Sequence, residues 1–161
     1  MIKKTDLQRI FEMENEIIHE QVSGLTQADS LLQPNPGGNC LNWVLGHLLT
    51  NQVEIIQALG GTPPFNPLEI ARYERDSEPI RGEEEGVLHL NTLISMHDQT
   101  YQMLNQLLDA SKDEDFEKDI YIGERKMTLG WRVFFLHFHY TYHIGQLEYL
   151  RQLAGKLEKV I

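Results

Sequence analysis

The sequence predicts an all-α protein, a four-helix bundle with one long loop between its second and third helices. Three observations predict it: apolar residues recur at helical spacing in four long stretches, Pro and Gly separate those stretches, and the length of 161 residues suits one domain. Amphipathic helices in a chain of this length can hide their apolar faces only against one another. We therefore expect residues 1–161 to form a single domain.

The first half of the chain predicts two helices. The first runs from Thr5 to about Val22, with Thr5 as its capping residue, because a glutamine follows three positions later. A connector containing two prolines and a glycine pair occupies residues 25–38. The second helix is then expected from Asn39 to Leu59, where two further glycines end it.

The second half predicts a long loop and two more helices. Residues 61–84 are rich in proline and charge, which indicates an ordered loop long enough to cover a pocket. A third helix is expected over residues 85–110. Alternation within residues 120–127 indicates a small hairpin, after which Thr128 can cap a fourth helix that continues to about Ala154.

The composition narrows the functional class. Twenty-four acidic against fourteen basic side chains give a formal charge of −10, which disfavours nucleic acid and anionic membrane surfaces as partners. No apolar run approaches the ~20 residues of a membrane span, and the first residues lack the apolar core of a secretory signal. The single cysteine, Cys40, permits no internal disulfide. We expect a soluble cytoplasmic protein that acts on a small molecule.

Three histidines form the most informative pattern. His139 and His143 are four residues apart on the predicted fourth helix, so they lie ~40° apart around the axis and one turn from each other. A third ligand from a facing helix would complete an open metal site, and His47 on the second helix is the candidate. A hydrogen-bonded pair of core histidines would explain the spacing equally well. His137, by contrast, points ~160° away from His139.

Other polar residues leave alternatives open. His97 falls on the apolar stripe of the third helix, where it either finds a buried partner or faces the metal pocket. Glu14 is interpreted as part of a solvated helix edge. Arg132 either holds an anionic substrate group or forms a surface salt bridge, and Cys40 is expected to pack, because no base lies beside it. Asn51 and Gln146 could orient the histidines, although ordinary packing is favoured for both.

Two stretches resemble the DinB-like family of metal-binding four-helix-bundle proteins. Residues 36–48, which end in Gly-His-Leu, look like the family motif that carries its first metal histidine. Residues 139–146 are similar to its His-x-x-x-His-x-Gly-Gln signature. The resemblance implies a metal-ligand role for His47, His139 and His143 and for no other residue.

The resemblance also implies an activity. Characterised branches of the family include transferases that use low-molecular-weight thiols such as bacillithiol or mycothiol. By analogy, this chain is expected to be a divalent-metal-dependent S-transferase acting on small electrophiles, with zinc or nickel as the first expectation and iron or manganese as alternatives. Ile144 stands where many relatives have a basic residue, so no substrate contact is implied there.

Two other function classes stay open at this point. One is a metal-dependent hydrolase, and the other is a non-catalytic stress protein that binds a metal or small ligand. The aromatic residues of the predicted fourth helix, together with the homodimers frequent among similar proteins, also predict a homodimer.

Overall fold

The computed structural model describes residues 3–160, which are mostly helical. The α-helices are α1 (Lys4–Val22), α2 (Gln27–Ser30), α3 (Leu41–Ala58), α4 (Leu90–Ala110) and α5 (Leu129–Leu153). Two 3-10 helices span Pro67–Tyr73 and Asp113–Glu117, and an antiparallel hairpin joins β1 (Asp119–Ile122) to β2 (Arg125–Thr128). The all-α class and the small hairpin are confirmed in outline. The prediction of four helices is incomplete, because the described residues also contain the short α2 and two 3-10 helices.

The first helix does not begin as predicted. Its N-cap is Lys3, which makes no capping bond through its side chain, so the capping box expected at Thr5 is wrong. The Lys4 N–H instead donates to the Asp113 carboxylate at 2.9 Å, because the second 3-10 helix packs beside this end. A genuine capping box lies at Thr26, whose hydroxyl and backbone both bond to Asp29.

α3 is the central element of the fold. Fifteen of its 18 residues are buried, because it packs against α4, α5 and the first 3-10 helix. Trp43 approaches the C-terminal half of α5 and Glu54 pairs with Arg132 near its start, so α3 and α5 run antiparallel. None of the helices within residues 3–160 combines the length and apolarity required to cross a bilayer.

A chain of polar side chains joins the three helices α3, α4 and α5 inside the core. The Thr100 hydroxyl donates to Gln52, and the Gln52 amide donates to the Tyr140 hydroxyl at 2.9 Å. Tyr140 in turn lies 3.4 Å from Nδ1 of His97, whose Nε2 donates to the Leu45 carbonyl at 3.0 Å. Each group is thereby paired, which is what burial of polar atoms requires.

His97 should make the fold sensitive to acid. Full burial lowers its pKa to about 4, whereas an unfolded histidine titrates near 6.5. Between these values the unfolded state binds a proton that the folded state does not, so stability is lost as pH falls, by on the order of 3 kcal/mol in total. Replacing His97 with Gln should remove much of this loss. Urea unfolding of chelator-treated protein at about pH 7 and about pH 4.5 measures it.

The comparison between the two proteins isolates His97. Every other titrating group is present in both, so its contribution cancels in the difference between the wild type and His97→Gln. An identical fall in the free energy of unfolding for the two proteins would contradict the assignment.

Candidate metal centre

Three histidine rings converge at the contact between α3 and α5. His47 comes from α3, and His139 and His143 come from α5. Their nearest candidate ligand atoms all lie within 4.8 Å of one another, and Nε2 of His47 is 3.2 Å from Nε2 of His139. Within residues 3–160, this is the one group of three or more His, Cys, Asp or Glu residues with its donors so close. The structure thus brings together the three histidines singled out in the sequence.

Hydrogen bonds fix the tautomers of two of the rings. Nδ1 of His47 lies 2.9 Å from the Tyr73 carbonyl oxygen, and Nδ1 of His143 lies 2.8 Å from Oε1 of Gln146. Because a carbonyl oxygen only accepts, each Nδ1 must carry the proton. The neutral rings therefore keep the lone pair on Nε2 available for ligation, and Gln146 has the orienting role that the sequence left open.

The donor set fits a divalent ion that prefers imidazole. Two nitrogens bound at ~2.1 Å on a tetrahedral ion lie ~3.4 Å apart, close to the separation between His47 and His139. Burial lowers the pKa of His139 and of His143, and the neighbouring imidazoles lower both further. Both rings are thus neutral at physiological pH, as ligation requires. With no carboxylate in the group, calcium and magnesium are poorly suited.

Gly46 allows the loop between α3 and α4 to reach His47. A Cβ on Gly46 would lie 2.1 Å from the Tyr73 ring, so only glycine permits that ring to lie against α3. The Tyr73 hydroxyl donates to Asn42 at 2.9 Å and accepts from the Leu88 N–H at 2.7 Å. The carbonyl that orients His47 therefore belongs to a residue whose side chain is anchored by two hydrogen bonds at its hydroxyl. The sequence signal that could have indicated this contact is a glycine inside a predicted helix, directly before a candidate ligand, because such a glycine often marks a close approach of another segment.

Trp43 forms one wall of the centre. Its ring stacks on His47, with centroids 4.7 Å apart and an angle of 17° between the planes. Its indole N–H donates to the Ser77 hydroxyl at 2.9 Å, so the same loop fixes this ring also. A cavity of about 510 Å³ opens beside Trp43 and His143, between α5, the start of α3 and residues 34–39. Of the three histidines, His143 lines this pocket, which is of ligand size, and Trp43 lies between the pocket and His47.

Glu14 is not on a solvated edge, so that interpretation is wrong. It is buried, with 3 % of its surface exposed, and burial raises its pKa. Its carboxylate lies 2.7 Å from Nδ1 of His137 and accepts from the Thr141 hydroxyl at 3.1 Å. The pair joins α1 to α5. His137 therefore points toward α1 and away from the other histidines, as its position on the helix predicted.

The remaining candidates lie outside the cluster. His97 is bonded to Leu45 and Tyr140, so it faces the core polar chain and not the histidine centre. Arg132 forms a salt bridge with Glu54. Cys40 is buried, and burial raises the pKa of its thiol, in agreement with a packing role.

Two further polar residues bear on the site in different ways. Asn51 is buried one turn beyond His47, and its Oδ1 has no hydrogen-bond partner within residues 3–160. Arg75, which sequence reasoning missed, lies close enough to His139 for its positive charge to lower the pKa of that ring, after the larger effect of burial. Its side chain is 87 % exposed, and no periodicity or motif could have marked it.

Comparisons with known proteins agree with this architecture. The crystal structure of a conserved protein from Enterococcus faecalis superposes with a TM-score of 0.72 at 18 % identity, covering 96 % of this chain and 98 % of that one, so the two share a fold. No curated protein matches significantly. The DinB superfamily profile matches residues 10–147, a range that includes His47, His139 and His143. On this evidence the chain belongs to the DinB superfamily.

Proposed function

We propose that this protein is a divalent-metal-dependent enzyme that transfers a low-molecular-weight thiol to a small electrophile. His47, His139 and His143 would hold the ion, with zinc or nickel favoured over iron or manganese. The observation that carries the proposal is the convergence of the three histidines within 4.8 Å, with His143 also lining a pocket. A bound divalent ion would lower the pKa of a thiol or water at its open position.

The surrounding residues support an open site over a closed structural one. A closed site would need a fourth ligand from the protein. His97, the residue that the sequence offered for the metal pocket, has both ring nitrogens bonded elsewhere, to Leu45 and to Tyr140. Tyr73 and Gln146 fix the ring planes of His47 and His143, so those imidazoles need little reorganisation on binding.

The two sides of the cluster differ in charge. Arg75 carries a positive charge on the side of His139, whereas the cavity beside His143 has no Lys, Arg, Asp or Glu in its lining. A thiol that carries carboxylates would therefore approach best past Arg75, whose exposed pairing with Asp76 at 3.8 Å is weak enough for a substrate carboxylate to replace. We assign the protein to the cytoplasm, where a reducing environment would keep such a thiol reduced.

The ligand assignment predicts metal loss in three variants. Replacing His47, His139 or His143 with Ala should each remove most of the bound metal, because two imidazoles hold an ion far more weakly than three. Gln146→Ala should weaken affinity by about 10- to 100-fold, since Gln146 only orients His143. Elemental analysis of protein purified without a His-tag, together with melting curves with and without chelator, measures both effects.

His19→Ala is the matched control. His19 is exposed and pairs with Asp98 on the surface, so its loss should leave the metal content and the chelator-sensitive stability unchanged. Wild-type occupancy in a His139→Ala protein would overturn the ligand set.

The activity is tested with a thiol panel and a model electrophile. Metal-loaded wild type should accelerate the reaction of 1-chloro-2,4-dinitrobenzene with at least one small thiol, and His139→Ala should lose that acceleration together with its metal. Cobalt-substituted protein should also gain a sulfur-to-metal absorption band when 2-mercaptoethanol is added.

The same experiment separates the alternatives. Hydrolysis of activated esters without any thiol effect would favour a metal-dependent hydrolase. Full metal occupancy with neither turnover nor a spectral response would favour a non-catalytic binding protein, and the transferase proposal would then be wrong.

We also propose that two copies of the chain associate through the first half of α5. Four exposed aromatic residues follow one face of this helix at spacings of three and four, and we refer to them as the aromatic patch: Trp131, Phe134, Phe135 and Phe138. At ~150–250 Å² for each side chain, four half-exposed rings offer about 400 Å² of apolar surface, the size of the largest patch on a typical monomer, and such patches are often functional. A flat apolar face can pack against its own copy around a twofold axis, so a second copy is the occupant we favour.

Sedimentation measurements test this association. Wild type should sediment at twice the mass of the chain, and Phe135→Glu should shift it to a monomer, because a charge buried in an apolar interface has no partner. Tyr121→Glu, at an exposed aromatic on β1 outside the aromatic patch, is the control. A monomeric wild type at about 100 μM would contradict the dimer, since stable interfaces hold at that concentration.

A further inference from the structure

The pocket beside His143 has aromatic walls, and one of them, Trp43, is fixed in direction. Trp43 is held by its stacking on His47 and by its bond to Ser77. Tyr142 and Tyr149 are seven residues apart on α5, so they lie on the same face of the helix two turns apart. We infer that this pocket binds the uncharged, planar aromatic group of the substrate, an inference that rests on the proposed function and names its electrophile.

Gly145 provides the space for a flat group between the two tyrosines. A Cβ built on this residue would meet no heavy atom within 4 Å, although the residue lies inside α5 and lines the cavity. Glycine costs a helix interior ~1 kcal/mol relative to alanine, and nothing in the packing of the described residues requires it here. The open space over Gly145 therefore lies where a ring could enter and stack against the neighbouring aromatics.

The lining also excludes charge. A carboxylate bound in the pocket would lose its hydration without meeting a cationic side chain, and the net charge of −10 would disfavour it further. A cation would find aromatic faces but no carboxylate in the lining, so the hydration it loses would be only partly replaced. An uncharged ring avoids both penalties.

Polar groups at the pocket can orient the aromatic ring of a bound ligand. Oε1 of Gln146 is taken by His143, which leaves its amide N–H groups for a ligand, and Asn39 adds a second amide. Both can donate to an uncharged acceptor such as a nitro or carbonyl oxygen on the ring. An electrophile activated by such a group is thus the class of substrate that fits.

Binding to metal-free protein tests the inference without relying on turnover. Calorimetric titration compares 2-naphthol with three probes of related skeleton: 2-naphthoate, which is anionic, 2-naphthylmethylammonium, which is cationic, and decahydro-2-naphthol, which is not planar. We expect 2-naphthol to bind about tenfold more tightly than each of the others, which corresponds to about 1.4 kcal/mol. Equal or tighter binding of any of the three would overturn the inference.

Two variants locate the binding at this pocket. Gly145→Leu should weaken 2-naphthol binding by about tenfold or more, because its side chain would enter the open space, and a better helix former keeps α5 folded. Gly145→Ala adds only a methyl group and should keep most of the affinity. Tyr149→Ala should lower affinity several-fold, whereas Tyr121→Ala, the same change at an exposed site on β1, should not. Wild-type affinity in both Gly145→Leu and Tyr149→Ala would place the ligand elsewhere and refute the inference.

The outcome can be separated from that of the proposed function. Gly145→Leu keeps all three histidines, so its metal content should stay at the wild-type level while ligand binding is lost. Selective binding of 2-naphthol with no turnover of any electrophile would reject the enzymatic proposal and leave the pocket assignment standing. Turnover without selective binding of 2-naphthol would support the enzymatic proposal and reject the pocket assignment.

Discussion

The burial of α3 is the constraint on which the rest of the structure depends. A helix that is covered on nearly every side is stable only if most of its polar groups find partners, since a buried group without one costs ~1–3 kcal/mol; within the described residues, Oδ1 of Asn51 is the exception on α3. α4 and α5 supply partners for Gln52 by way of Thr100 and Tyr140. The loop before α4 supplies the hydrogen-bond partners of Asn42 and of the Trp43 indole. The same demand for partners that organises the core also determines how His47 is held.

The histidine centre consequently takes its geometry from segments far apart in sequence. Gly46 admits the Tyr73 ring to the surface of α3, and the Tyr73 carbonyl then fixes the plane of His47. On α5 the corresponding contact is local, because Gln146 follows His143 by less than one turn. One imidazole is thus oriented by tertiary packing and another by helical spacing, and the centre forms only where the two helices meet.

The difference between local helical spacing and tertiary packing explains how much the sequence could predict. Helical periodicity located the long helices, and spacing on one helix singled out His139 and His143, because both depend on local geometry. Glu14 was misread, since only the pairing of α1 with α5 brings it to His137. Arg75 was missed for a similar reason: it lies on an irregular segment that approaches His139 through tertiary folding alone. The short α2 has too few residues to show a period.

Holding three imidazoles in this arrangement has an energetic consequence. With Nδ1 of His47 and of His143 committed to carbonyl oxygens, their Nε2 atoms face the same small volume as the ring of His139. Nε2 of His139 lies 3.2 Å from Nε2 of His47, close enough for one of these rings to donate to the other, and a divalent cation would take the place of that proton. Burial and the neighbouring imidazoles lower the pKa of His139 and His143, so the cation would not have to displace a positive charge from either ring at neutral pH. The core therefore holds the donor atoms close together before an ion binds, and binding requires little reorganisation.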